Sequence, residues 1–216
     1  RVDVFDYAFQ PVRLQRDASG AYDFDSSRVY LDSEPFVDPQ LPPGYAPFNV
    51  QNIGNDVVVT YAFHPDQKSA SPVTGANLGY VNVFSNTGKL LERLQHGPWF
   101  NAPWGVALAP LDFGRFSHEL LVGQSAADGS ASGGTIAAFD LSTGKFDGYV
   151  QNADGKPLVI KGLLGLSPGN SAVAGSYDPA GSPAGEVYFN SVLGLDGKAG
   201  GLFGYLTPAA GQLTEG

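Results

Sequence analysis

The chain has 216 residues, a formal net charge of −9 and a sequence pI near 4.6, which argues against a nucleic-acid partner, because such a partner needs an array of Lys and Arg against its phosphates. Only 15% of residues are charged, while 29 Gly and 16 Pro supply turns at a density that suits many short strands, so the composition points to one all-β domain over residues 1–216. No apolar run reaches the roughly 18 to 20 residues of a membrane-spanning helix, so no membrane partner is expected, and the absence of cysteine removes disulfides and thiolate metal sites.

In chain order, "RVDVFD" (1–6) reads as a strand and "QPVRLQR" as a second, together a blade remnant over 1–15. A loop over 16–46 follows. Its acids, Asp23, Asp25, Asp32, Glu34 and Asp38, match neither a calcium-binding loop nor a tight carboxylate pair and read as solvated. Its aromatics, Tyr22, Phe24, Tyr30 and Phe36, are expected to pack the loop onto the body.

The next four strands are "PFNVQNIG" (47–54), "DVVVTYAF" (56–63), "GYVNVFS" (79–85) and "KLLERLQ" (89–95), forming one unit over 47–95 with an insertion at 64–78 long enough for a partner contact. A second unit over 103–152 reads "PWGVALAP" (103–110), "HELLVGQS" (118–125), "GTIAAFDL" (134–141) and "KFDGYVQN" (145–152). Inside it, the Gly/Ser-rich "GQSAADGSASGG" has no following Lys or helix for phosphate and reads as a turn connection. A last unit over 160–208 offers "IKGLLGLSPG", "GEVYFNSV" and "GGLFGYLT" with no obvious fourth strand.

Thr87-Gly88-Lys89 matches Thr143-Gly144-Lys145, and aligning Val81, Ile136 and Leu202 gives spacings of 55 and 66 residues. Repeats of that length suit four-stranded propeller blades. About three blades are present where propellers use 4 to 8. The chain is therefore expected to be part of a ring completed by another segment or chain that covers its sheet edges, unless the strands are miscounted and the ring is smaller. The start at Arg1 with no Met suits a processed or internal segment that has lost an N-terminal part.

The segments 44–62, 79–94, 100–123 ("FNAPWGVALAPLDFGRFSHELLVG"), 134–166 and 200–208 resemble the C-terminal half or more of a family of uncharacterised secreted microbial proteins with NHL-like β-propeller folds. The resemblance covers nearly the whole chain. It implies an extracellular six-bladed ring, half of it preceding these residues, and it carries no established activity. Where the family repeats a Trp-Gly pair at the start of the last blade, this chain has Leu164-Gly165, which weakens any site built on several such tryptophans.

Trp104-Gly105 stands at the start of an inner strand, where the ring could stack on a sugar or small molecule, or act as a packing wedge. Asn49, Gln51, Asn52 and Asn101 lie before or within inner strands, where amides can hold Ca²⁺, ordered water or their own loop backbone. No carboxylate stands beside them, and folding is expected to need no cofactor. His64, His96 and His118 lack zinc-site spacing, and neither Cys nor a G-x-S-x-G elbow supplies a nucleophile. The candidate ligand residues are thus Asn49, Gln51, Asn101 and Trp104. The primary expectation is a secreted binding or interaction module. The competing one is a metal-assisted hydrolase, lactonase or lyase at the channel end.

Overall fold

The computed structural model describes residues 2–5, 9, 35–66, 71–126, 133–169, 185–194 and 198–208. They form eleven strands in three antiparallel sheets. The first contains β1 (Tyr45–Ile53), β2 (Asp56–Phe63), β3 (Tyr80–Ser85) and β4 (Leu90–Arg93) in sequential order. The second repeats this order with β5 (Pro103–Leu108), β6 (Leu120–Gln124), β7 (Ile136–Phe139) and β8 (Phe146–Tyr149). The third has β9 (Leu163–Pro168), β10 (Val187–Leu193) and β11 (Ala199–Leu206), again in chain order. The strands expected within 47–95, 103–152 and 160–208 are present, although β1 begins at Tyr45, inside the expected loop. Only Val2–Phe5 and Phe9 of the 1–15 remnant are described; the acids Asp23, Asp25, Asp32 and Glu34 lie outside the described residues.

Local chemistry fixes the repeated hairpin between third and fourth strands. In the second sheet the Asp140 carboxylate accepts hydrogen bonds from the Ser142 and Thr143 amides and hydroxyls, and the Lys145 carbonyl accepts the Asp140 N–H. Ser85 takes the same place in the first sheet, its hydroxyl bonded to Thr87 and to the Lys89 amide. Both turns need a left-handed residue, supplied by Gly88 at φ 88° and Gly144 at φ 63°.

The sheets stack face to face, with first strand against first strand: β1 lies beside β5 and β5 beside β9. Val58 and Val81 of the first sheet meet Leu120, Val122, Ala137 and Phe139 of the second, with Ile53 and Val83 at the margin. The opposite face of the second sheet, including Leu121, Ile136 and Ala138, meets Leu163, Leu166, Val187 and Phe189 of the third. Alternate residues of β6 and β7 thus serve two cores, which is why both strands are buried throughout.

This stacking corrects the alignment of the third repeat. Val81 and Ile136 point forward to the following sheet, whereas Leu202 and Leu206 point back onto the core shared with the second sheet. The forward residues of β11 are Phe203 and Tyr205, 73% and 58% exposed. The equivalent of Ile136 is therefore Phe203, because a one-residue slip in a strand exchanges its faces.

The outer faces of the stack differ. On the first sheet, Val59, Tyr61 and Phe84 are covered by Phe36, with Val2, Val4 and Leu41 packed against them, so Phe36 does pack its loop onto the body, 5.5 Å from the Phe84 ring. On the third sheet, Tyr188 stacks on Phe203 at 5.8 Å, and Phe203 and Tyr205 face outward.

Candidate functional site

The contact between β1 and β5 is built by a bulge in β1 and the Asn49 amide that follows it. Between Pro47 and Asn49 the β1–β2 register shifts, and the extra residue, Phe48, leaves the ladder as bulged residues do. Its ring meets the edge of Trp104 at 4.5 Å and 89°, a favourable quadrupolar arrangement, and lies 6.0 Å from the His64 ring. The following residue, Asn49, donates from Nδ2 to the Trp104 carbonyl at 2.8 Å, and its own N–H donates to Thr60 Oγ1 at 3.0 Å.

The residues flanking Trp104 explain the Pro-Trp-Gly order. Gly79 sits so close under the Pro103 ring that a side chain there would overlap it. At Gly105 a Cβ would overlap the Leu164 carbonyl oxygen and stand 2.8 Å from the Leu166 nitrogen. β5 therefore approaches β9 at backbone distance, and only glycine permits it. Gly165 repeats the device differently, donating its N–H to Asn190 Oδ1 at 2.7 Å. Trp104 itself is half-buried.

The four candidate ligand residues divide accordingly. Asn49 and Trp104 are joined directly. Gln51, half-buried and two residues along β1, shares the face of Asn49 and Ile53 that turns toward the second sheet, while Asn52 is exposed. Asn101 is fully buried elsewhere: its N–H donates to Gln124 Oε1 at 2.8 Å and its Oδ1 accepts from the Gly75 N–H at 2.7 Å. The equally buried Gln124 donates onward to the Val122 carbonyl at 3.0 Å. Asn101 is thus a cross-link between the 64–78 insertion and β6.

Two charged clusters were not legible as such in the sequence. Asp38, read as solvated, has a side chain only 3% exposed. Arg93 grips it with Nε 2.9 and 3.0 Å from the two carboxylate oxygens and Nη2 at 2.7 Å, and Asn82 and the Gln40 amide add bonds. Burial alone would raise its pKa, but these donors and the Arg93 charge hold it below the ordinary 3.8. Around Glu119 the balance is reversed. Burial, then the charge of Asp147 and a hydrogen bond with it, push its pKa from 4.5 to about 7, with Asp140 adding to the rise and Arg115 opposing it. Arg115 is paired with Asp147 at 3.0 Å.

The histidines are dispersed. His96 stacks on Tyr80 at 4.3 Å with Nε2 2.9 Å from the Asn77 carbonyl oxygen, and His118 precedes β6 in a left-handed conformation. Among the described residues, no group of three His, Asp or Glu side chains is placed to hold a metal ion. Trp99, not singled out in the sequence, stacks on Phe146 at 4.1 Å and 3° between the first two sheets.

No family model matches the chain. Curated relatives include three proteins of Acanthamoeba polyphaga mimivirus: uncharacterized protein R648, 34% identical over 149 residues, uncharacterized protein L690, 32% identical, and uncharacterized protein R640, 28% identical. Each similarity covers 67% of this chain, and the chain spans 36%, 38% and 27% of those proteins respectively.

Proposed function

We propose that this chain supplies three consecutive blades of a secreted, NHL-like β-propeller that serves as a binding module. Three sheets in strict chain order, stacked through successive first strands, support the propeller reading. The longer relatives leave room for further blades. In this reading Tyr188, Phe203 and Tyr205 pack against the next blade, supplied by another segment or chain, as Ile136 and Ala138 pack against the third sheet.

The observation that carries the binding reading is the half-buried Trp104, braced edge-on by Phe48 and fixed through its carbonyl by Asn49. A ring held in this way loses little entropy when a flat apolar surface stacks on it. The ligand class is a carbohydrate or similarly flat small molecule, with Gln51 on the adjoining strand available to it. The test is a glycan array followed by calorimetry on the best ligand. W104A should weaken binding at least about tenfold, equivalent to about 1.4 kcal/mol, with the β-sheet circular dichroism unchanged. Equal binding by W104A, or no glycan bound at all, would remove this reading.

A further inference from the structure

The segment 109–119, between β5 and β6, folds into a closed loop. The Ala109 N–H donates to the Glu119 carbonyl at 2.8 Å, and the Ser117 and Glu119 N–H groups donate to the Gly114 and Phe116 carbonyls, each at 3.1 Å. Two left-handed residues, Gly114 and His118, turn the chain, and Phe113 and Phe116 are buried in the core between the second and third sheets. The loop is also fastened to β8. Arg115 Nη2 donates to the Asp147 carboxylate at 3.0 Å and to the Asp147 carbonyl at 3.1 Å, and the Phe116 ring lies against the Gly148 backbone.

Asp147 owes its position to a bulge. Ala138 pairs with Gly148 and Phe139 with Phe146, so Asp147 is the extra residue of β8 and its side chain leaves the ladder. It meets Glu119, the residue before β6. Glu119 Oε2 is buried, and among the described residues no hydrogen-bond donor reaches it. The groups that face the Glu119 carboxyl are Asp147 from β8, Asp140 from the end of β7 and Arg115 from the loop itself. Ionised carboxylates only accept, so Glu119 and Asp147 can bond to each other only through a shared proton. With that proton, the pair and Arg115 sum to zero charge. Without it they are left negative, and Asp140 adds to the repulsion. The first sheet has Asp56 and Leu91 at the corresponding positions, so the repeat of the strands does not require such a pair.

We propose that Glu119 and Asp147 form a proton-operated clasp: one proton shared between them holds loop 109–119 on β8, and loss of that proton to solvent frees the loop. The rise of the Glu119 pKa to about 7 puts the change near neutrality, with the clasp shut on the acid side. Opening uncovers the small cleft lined by Phe113, Phe116, Val150, Leu158 and Leu206, which makes access to that apolar lining depend on pH. The clasp is independent of ring closure and of Trp104.

Hydrogen–deuterium exchange resolved by NMR tests this in the full chain, read as protection factors so that the intrinsic pH dependence of exchange cancels. Between about pH 5 and about pH 8 the Ser117 and Glu119 amides should lose protection at least about tenfold, while the β6 amides stay better protected than the loop throughout. E119Q keeps an amide donor facing Asp147 at every pH and should abolish that loss. D147N removes the facing charge and should abolish it as well. Equal protection of the parent loop at the two pH values would overturn the proposal. So would a loss of the same size in either variant, which would assign it to another group, or loop and β6 amides falling to one common protection, which would mean unfolding of the whole domain.

Discussion

Gly105→Ala tests the contact on which the stacking of sheets depends. The added methyl would overlap the Leu164 carbonyl oxygen, stand 2.8 Å from the Leu166 nitrogen and lie 3.1 Å from the Gly165 carbonyl carbon. All three atoms are backbone, so no side chain can rotate away and β5 must separate from β9. Overpacking of this kind costs about 3 kcal/mol. Gly105 does not have a left-handed φ, so alanine recovers about 0.5 kcal/mol by restricting the unfolded chain. The net loss is about 2.5 kcal/mol, or roughly 5 to 10 °C in Tm for a domain of this size. Gly200→Ala is the control, because nothing lies within 4 Å of its added carbon, and its stability should stay within about 0.5 kcal/mol of the parent. Urea denaturation followed by circular dichroism measures both. If G105A unfolds at the same midpoint as G200A, the close approach of β5 and β9 is wrong.

Three further outcomes follow from the polar contacts. N101A removes the acceptor for the Gly75 N–H from a fully buried site and should cost about 2 kcal/mol in chemical denaturation. R93A strands the Asp38 carboxylate and should cost about 2 kcal/mol at neutral pH, a figure reduced because the Arg93 side chain is 38% exposed. Asp38 has a lowered pKa in the fold, so its pairing contributes above pH 3.8 and is lost as pH falls through the lowered value; the difference between R93A and the parent should shrink over that acid range. Glu119 has the opposite sign. Its folded pKa of about 7 exceeds the ordinary 4.5, so the fold favours the protonated form and stability declines as pH rises from about 4.5 to about 7. In E119Q, urea midpoints measured across that interval should lose this part of the slope.

Residues whose roles are set by close sequence neighbours were legible. Alternation marked β2 as Asp56–Phe63, and the Thr-Gly-Lys steps marked both hairpins, because turn geometry is decided within a few residues. Phase was lost in "AGGLFGYL", where three glycines remove the side chains that would reveal which face is buried. Asp38 was misread because its guanidinium partner lies 55 residues away, and charge in a loop says nothing about what will cover it. Asn101 and Gln124 were obscured for a related reason: amides suit a ligand site and a buried backbone cross-link equally well, and only the fold decides between them. The Pro-Trp-Gly motif was half legible, its glycine explained by β9, which no local signal reveals.

In the proposed propeller the forward face of the third sheet is an interface for further blades, and sedimentation of the isolated 216-residue chain over a wide concentration range probes it, because an exposed face bearing Phe203 and Tyr205 promotes association. The sedimenting mass should rise above 22.6 kDa with concentration and return to the monomer value in F203E/Y205E. A single species of 22.6 kDa at every concentration would contradict it.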